Sequence, residues 1–290
     1  MAVSVIVVSF NTKEKLHRCL SCVEPEHELI VVDNASKDGS AEMVRADFPR
    51  AKLIANADNK GFGAANNQWA KLATNDWLLY LNSDCYAAPG AIGGLAESLQ
   101  QAEAVAGGGK LLNIDGSLQQ SVAAELTLWM VFLEQTFIER PLRNLQAGYW
   151  RTPAVKSEVD QVMGACLMVK RGMEAFDERF FLYCEDTDLC KRLKEHGTIL
   201  YDPQHEFTHE LGSSSSGNRW LSVARYNLGK ELYFEIHHGK TARRICWLLN
   251  RGGAALRMIG WTLVSLIRPS RFSQVKLFWR VLTARDSSLR

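Results

Sequence analysis

The sequence predicts an α/β fold: a mostly parallel sheet flanked by helices, followed by a helical tail. Short, largely β-branched apolar runs recur through the first hundred residues, and each ends in a polar break before a helix-like segment. Such runs fit strands covered on both faces, and strand–helix alternation makes a parallel, right-handed sheet the default. From about residue 240 onward, cations interleave with aromatic and aliphatic residues in a different pattern.

The first strand is expected at Val3–Val8, ended by Ser9-Phe-Asn11. Thr12 is a candidate cap for a helix over Lys13–Cys22, and Glu28–Val32 reads as the second strand. It runs into Asp33-Asn-Ala-Ser36, then the turn signal Lys-Asp-Gly39, with Ser40 as cap of a helix ending near Phe48-Pro49. Lys52–Ala55 is a short third strand, and Asn59-Lys-Gly-Phe-Gly63 is a loop opening a helix through Ala73. The fourth strand, Trp77–Leu81, ends in Asn82-Ser-Asp84. Further on, 126–138 reads as an apolar helix stopped by Pro141, and Val159–Lys170 as a strand containing Gly164-Ala165. Leu189–His196 reads as a helix with Gly197 as C-cap, Thr198–Tyr201 as a short strand, and 212–217 as a Ser-rich loop. By expected role the chain divides into 1–110, 111–235 and 236–290.

Composition narrows the class. With 47% hydrophobic and 23% charged residues, the chain can bury a large core, which excludes disorder as its main state. The N-terminal run lacks a basic n-region and a small-residue cleavage site, so it reads as a strand and not as a secretory signal. Seven scattered cysteines do not form a disulfide framework, and Cys19-x-x-Cys22 has no second pair; together they point to a reducing cytoplasm.

The residues that carry chemistry sit at strand ends. In open α/β sheets ligands bind beyond the carboxyl ends of the strands. Ser9/Asn11, Asp33/Ser36 and Asn82/Asp84 each follow an apolar strand directly, and three such cases in succession point to one shared polar ligand. Asn82 and Asp84, at i and i+2, can turn toward one site, where a divalent cation and a diphosphate need few protein oxygens; an ordinary polar turn would show the same pair. Glu185-Asp-Thr-Asp188 opens a helix, where the macrodipole favours carboxylates. Three carboxylates in four residues also crowd one another, which can tune a general base; Asp186 is favoured for that role and Asp188 for a structural one. Among the seven histidines, His205 reads as a surface residue and His209 as a candidate only in company with the rest.

Together these segments resemble the family-2 glycosyltransferases, in particular the bacterial rhamnosyltransferase-like branch, over roughly residues 3–217. The resemblance rests on Val-Ile-Val-Val-Ser-Phe-Asn (5–11), Val-Val-Asp-Asn-Ala-Ser (31–36), Asn-Lys-Gly-Phe-Gly-Ala-Ala-Asn-Asn (59–67), Leu-Asn-Ser-Asp (81–84), Gly-Ala-Cys-Leu-Met-Val (164–169), the run 180–190, and His-Glu-Leu-Gly-Ser-Ser (209–214), in that order and spacing. It implies a GT-A fold and a nucleotide-diphosphate sugar as donor. It implies that Ser9 and Asn11 line the nucleotide pocket with Ser36, and that Asp33 accepts a hydrogen bond from a pyrimidine edge. Asn59, Gly61 and Asn66 would border the nucleotide-sugar loop, where glycine lets backbone approach the ligand. Asp84 would bind Mg²⁺ or Mn²⁺, with His209 completing the metal site or touching the diphosphate, and Asn82 stands where the Asp-x-Asp pattern has its first aspartate. Asp186 matches the catalytic base of a direct, inverting displacement, with rhamnose from dTDP-rhamnose as the first expectation.

The remaining segment carries its own expectation. Residues 240–290 hold eleven Lys and Arg against Asp286 alone, a net +10 that leaves −8 for the rest of the chain. The longest uncharged run, Met258–Ile267, is far short of the ~20 residues of a membrane-spanning helix. An interfacial helix on anionic lipid fits better, placing the protein peripherally on the inner face of the cell membrane beside a glycan or lipid-linked acceptor. Packing on the catalytic domain or on a second subunit, as in a homo-oligomer, is the competing expectation; nothing else supports a nucleic-acid partner. Two other functions fit parts of the pattern. A sugar-phosphate nucleotidyltransferase would need a basic Gly-rich loop where Ser9-Phe-Asn11 stands, and a catalytically silent nucleotide-sugar binder would not need Asp84, Asp186 and His209 together.

Overall fold

The protein is described by a computed structural model covering residues 1–136, 152–210, 218–284 and 289. In chain order its strands are β1 (Ser4–Ser9), β2 (Glu28–Asp33), β3 (Lys52–Ala55), β4 (Trp77–Asn82), β5 (Cys85–Ala87), β6 (Ala106–Leu112), β7 (Val122–Ala123), β8 (Ser157–Glu158), β9 (Gln161–Val162), β10 (Cys166–Lys170) and β11 (Ile199–His209). The helices are α1 (Lys13–Ser21), α2 (Ser40–Asp47), α3 (Phe62–Ala70), α4 (Ala91–Gln101), α5 (Leu128–Thr136), α6 (Glu185–Leu193), α7 (Arg219–Ile267) and α8 (Phe272–Thr283).

The main sheet has the order β3-β2-β1-β4-β10-β6-β11-β5, with β8 beside β11, while β7 and β9 make a separate two-stranded ribbon. β3, β2, β1 and β4 are parallel, in register Ser9↔Asp33 and Val8↔Asn82. The β-branched runs are continuous because both faces are covered. Val5, Val7 and Leu79 pack on one side with Leu16, Leu20, Leu95 and Leu99, whereas Ile6, Ile30 and Tyr80 pack on the other with Phe176, Leu189 and Leu193.

The sheet is mostly parallel as expected, and its antiparallel pairs at β10 and at β5–β11 both matter for the site. β10 runs antiparallel between β4 and β6, so the sheet is mixed. The single strand expected over Val159–Lys170 is two: β9 leaves the main sheet for β7, and the chain turns at 163–165 before β10. The strand expected to stop at Tyr201 continues to His209 across a register shift between Asp202 and Glu206. α6 starts at Glu185, with the acidic cluster opening the helix as expected and Asp186 in its first turn, and it ends at Leu193 rather than His196. Thr12 does occupy the N-cap of α1, but its hydroxyl donates to Ser83 Oγ at 2.9 Å, and Asp38 Oδ2 accepts from Lys13 N instead. Gly39, not Ser40, is the N-cap of α2; Ser40 donates to Asp38 Oδ1. His205 is half-buried over Gly94, 3.8 Å from Asp202, and so is not a surface residue. All seven cysteines are free thiols.

Packing divides the chain into two units that do not coincide with the partition by role. One comprises Met1–Glu125, Tyr149–Phe181 and Glu185–Ser214; the other Leu126–Gly148, Leu182–Cys184 and Ser215–Arg290. The expected helix stop at Pro141 and the Ser-rich loop at 212–217 lie outside the described residues. In the second unit α7 is broken at Gly239, whose φ of 82° and ψ of 177° are not helical. Its apolar interior encloses several polar groups. Fully buried Lys230 donates to Glu134 Oε2 at 2.9 Å, Asn250 donates to Glu231 Oε1 at 2.9 Å, and Arg251 donates to the carbonyls of Val281, Leu282 and Ala284 at the end of α8.

β6 carries three consecutive glycines because its neighbours crowd it. A Cβ on Gly107 would lie 2.3 Å from Leu200 O and 2.4 Å from Leu99 Cδ2, and one on Gly109 2.3 Å from His205 O. Gly107→Ala is therefore expected to destabilise the protein by about 1–3 kcal/mol, the usual cost of overpacking, read as an earlier urea midpoint. An unchanged midpoint would contradict this account of the strand.

Candidate active site

The carboxyl ends of β2, β1 and β4 lie side by side, so Asp33, Ser9 and Asn82 are lateral neighbours. The loops leaving them are tied together. Asn11, at φ 55°, donates its backbone N–H to Ser36 Oγ at 2.9 Å and accepts from Lys37 N at 2.8 Å through its side chain. Ser36 N donates to Asp33 Oδ1 at 3.0 Å. The other carboxylate oxygen of Asp33 is buried and has no hydrogen-bond partner among the described residues. Burial without a partner is costly, so this oxygen is suited to a donor brought by a ligand. Ser9 is placed differently from expectation: it is fully buried, hydrogen-bonded to Thr12 Oγ1 at 3.0 Å, and supports the strand end from beneath rather than facing an open pocket.

The 59–63 loop is organised by a residue the sequence reading did not single out. Asn34 donates to Asn59 Oδ1 at 2.9 Å and to Gly61 O at 3.1 Å, and accepts from Lys60 N at 3.1 Å. Asn59 in turn accepts from Gly61 N at 2.9 Å, so its side chain staples the loop. Gly61 has φ 86°, and a Cβ there would lie 2.4 Å from Phe181 O, which itself accepts from Phe62 N at 3.0 Å. Only glycine meets both demands. Asn66 is buried on α3, donating to Phe62 O at 3.0 Å, with its Oδ1 lacking a partner among the described residues.

Asp84 and His209 come together at 3.3 Å (Oδ1 to Nε2), with Asn82 Nδ2 3.4 Å from the same nitrogen. β11 delivers His209 because it continues past Tyr201 and pairs antiparallel with β5, in register His209↔Cys85. Gln119 fixes the ring. Its Nε2 donates to Asn113 Oδ1 at 2.9 Å and to His209 O at 3.1 Å, so its Oε1, 2.7 Å from Nδ1, receives the imidazole N–H. Nε2 is thereby turned toward Asp84 Oδ1. An imidazole nitrogen beside a carboxylate is a donor pair of the kind that suits a divalent metal. Among the described residues no group of three or more His, Cys, Asp or Glu is gathered.

Asp186 reaches the same strand ends through the turn at Gly164-Ala165. Ala165 O accepts from Asn82 N at 3.1 Å, and Gly164 N donates to Asp186 Oδ2 at 2.8 Å. Thr187 N donates to Oδ1 at 2.8 Å. Burial pushes the Asp186 carboxyl above the usual aspartate range, against the pull of these backbone donors. A Cβ on Gly164 would stand 3.2 Å from the Asp186 Cβ, so the absence of a side chain sets where the carboxylate lies. Asp188, by contrast, is fully buried and takes both Nε and Nη2 of Arg192, at 3.0 and 2.7 Å, a structural pair as expected. Gly164, Gln119 and Asn34 are the site residues that sequence reasoning left without a role. Gly164 and Asn34 stood inside quoted segments, but Gln119 carries no local signal.

A mixed sheet with this strand order and a polar, carboxylate-bearing strand-end site is the GT-A arrangement of glycosyltransferases. The fold is shared with mannosyltransferase PcManGT from Pyrobaculum calidifontis, solved with GDP-Man and Mn²⁺, at a TM-score of 0.57 and 16% identity over 97% of this chain and 84% of that one. It is shared also with S. aureus TarS 1–349, at a TM-score of 0.53 and 17% identity over 100% of this chain and 83% of that one. Residues 4–150 match Glycosyl transferase family 2, and the chain belongs to that family. Among curated relatives it is 26% identical to the N-acetylglucosaminyl-diphospho-decaprenol L-rhamnosyltransferase of Mycobacterium tuberculosis, over 94% of this chain and 96% of that protein.

Gln119→Leu removes the acceptor that holds the His209 Nδ1–H. In the wild type, the ¹⁵N shift of His209 Nδ1 is expected to report a protonated, hydrogen-bonded nitrogen, and in the variant a mixture of protonated and bare Nδ1. A single, unchanged tautomer in the variant would contradict the role assigned to Gln119.

Proposed function

We propose that this enzyme is an inverting, metal-assisted glycosyltransferase that moves a sugar from a nucleotide-diphosphate donor, dTDP-rhamnose first among candidates, to a glycan or lipid-linked acceptor in cell-surface polysaccharide synthesis. The reading draws on the rhamnosyltransferase relative, which is aligned almost end to end with this chain. The observation that carries it is the Asp186 carboxylate, raised in pKa by burial and joined through Gly164-Ala165 to the strand end bearing Asn82 and Asp84. The acceptor is met at the inner face of the cell membrane.

The chemistry follows from the residues. Asp33 Oδ2 accepts the imide N–H of a thymine or uracil ring, satisfying the buried oxygen left open by the protein. Gly61 lets loop backbone approach the donor closely, and Asn34 with Asn59 holds that loop in shape. A carboxylate has about four lone-pair sites. On Asp186 these receive Gly164 N at Oδ2 and Thr187 N and Oγ1 at Oδ1, which leaves room at Oδ2 for an acceptor hydroxyl. Asp186 takes that proton as the oxygen attacks the anomeric carbon from the side opposite the nucleotide, and a single displacement inverts the configuration. Mg²⁺ or Mn²⁺ held by Asp84 and His209 would neutralise charge developing on the leaving nucleoside diphosphate, and the imidazole nitrogen favours Mn²⁺ of the two.

Asp186→Asn is expected to cut turnover by about 10²–10⁴ while leaving donor affinity intact. Unchanged turnover would remove Asp186 from its role. The sign of the pH dependence follows from the raised pKa: the base works deprotonated, so kcat/KM falls as pH drops through that pKa. The acid limb is expected above the ordinary aspartate range of about 3.9 and is lost in the asparagine variant; a limb at the ordinary value in the wild type would contradict the proposal. With Asp84 and His209 as metal ligands and the donor's diphosphate supplying further oxygens, metal and donor should bind together. Asp84→Ala is expected to weaken donor binding only when metal is present, and equal wild-type donor affinity with and without Mn²⁺ would contradict a metal role.

A further inference from the structure

The outer surface of the second unit carries a feature that sugar transfer does not use. After the break at Gly239, α7 buries Ala242, Cys246, Asn250, Gly253 and Ala254 along one face. Ile245, Leu248, Leu256, Ile259, Leu263 and Ile267 are exposed on the other side, with side-chain-free Gly252 between the second and third. Spacings of three, four, four, three, four and four fall within an arc of about 100° at ~100° per residue. From 245 to 267 that stripe is about 33 Å long at 1.5 Å per residue. In an amphipathic helix of a soluble domain the apolar stripe faces the core, whereas here it faces away from the helices that α7 packs against. Phe272 and Trp279, on α8, are exposed as well.

The charge around the stripe identifies what it meets. Between Ile236 and Ala284 there is no Asp or Glu, while Lys240, Arg244, Arg268, Arg271, Lys276 and Arg280 are all exposed. A neutral protein partner would account for the apolar residues but not for six exposed cations without one acid. A second copy would set these cations against one another across a two-fold axis. No described helix is long and apolar enough to cross a membrane. An apolar stripe with only cations beside it matches the headgroup–acyl boundary of an anionic bilayer leaflet, where the apolar face enters the lipid and the cations stay with the phosphates.

We propose that the outer face of α7 from Ile245 to Ile267, with α8, is a membrane-docking surface that lies flat on anionic lipid and enters it through the Ile245–Leu248–Leu256–Ile259–Leu263–Ile267 stripe. It gives physical form to the membrane address in the function proposed above, but rests on residues remote in sequence from the sugar-transfer groups.

The test is co-sedimentation of the full-length protein with phosphatidylcholine vesicles, with and without phosphatidylglycerol. Binding is expected to be at least about tenfold stronger to the anionic vesicles and to fall with added salt, as six interfacial cations imply. L256E/I259E/L263E, at exposed positions, is expected to abolish binding with an unchanged melting temperature. R268Q/R271Q/K276Q is expected to weaken it, by about fivefold per cation removed. Wild-type protein that ignores anionic vesicles, or a triple-glutamate variant that still binds them as well, overturns the proposal. So does a wild-type dimer in analytical ultracentrifugation that becomes monomeric in L256E/I259E/L263E, since a second copy then covers the stripe. A thermal shift with dTDP-rhamnose and Mn²⁺ keeps the two readings apart. The triple variant should retain it, whereas vesicle binding by a wild type that shows no shift would sink the donor assignment and leave the surface standing.

Discussion

The site depends on one reversal of chain direction. At Gly164-Ala165 the chain leaves β9 and enters the sheet antiparallel to β4, and the backbones of two consecutive residues serve two different neighbours. Ala165 O takes the N–H of Asn82, and Gly164 N–H is given to Asp186. A parallel strand in that position would bring its opposite end to the Asn82 side of β4. A side chain at 164 would press on the Asp186 Cβ, 3.2 Å away, so glycine there lets the carboxylate sit close to the turn.

The same economy governs the electrostatics. Carboxylates at 33, 84 and 186 are distributed over separate strand ends and a helix start, each with a different kind of partner. Asp33 has one oxygen held by Ser36 N and one left open. Asp84 faces an imidazole whose tautomer Gln119 sets. Asp186 is enclosed between two peptide N–H groups and raised in pKa by burial. Environment, and not residue type, distinguishes a group suited to bind a base, one suited to hold a cation and one suited to take a proton.

Much of this was legible in the sequence, for definite reasons. β1, β2 and β4 are apolar on both faces, so their runs stand out, and the polar residues that follow them fall at the strand ends by topology alone. Asp186 and His209 were legible through ordered motifs rather than local pattern. What was missed is non-local. β6 hid behind Gly107–Gly109, whose composition reads as a loop and whose reason is the closeness of Leu200, Cys166 and His205. β10 was merged with β9 because periodicity carries no strand direction. Ser9 looked like a pocket residue because position along a strand does not reveal burial, and Gln119 acts on a residue 90 positions away. The outward apolar stripe of α7 emerges only once the structure shows which face of the helix is packed.

The most direct measurement is a crystal structure with the donor's nucleoside diphosphate and Mn²⁺. The account requires the pyrimidine edge on Asp33, the diphosphate and metal at Asp84 and His209, and the Asp186 carboxylate open toward the sugar side of the same cleft. A nucleotide bound elsewhere, or an Asp186 carboxylate facing away from the donor, would contradict it.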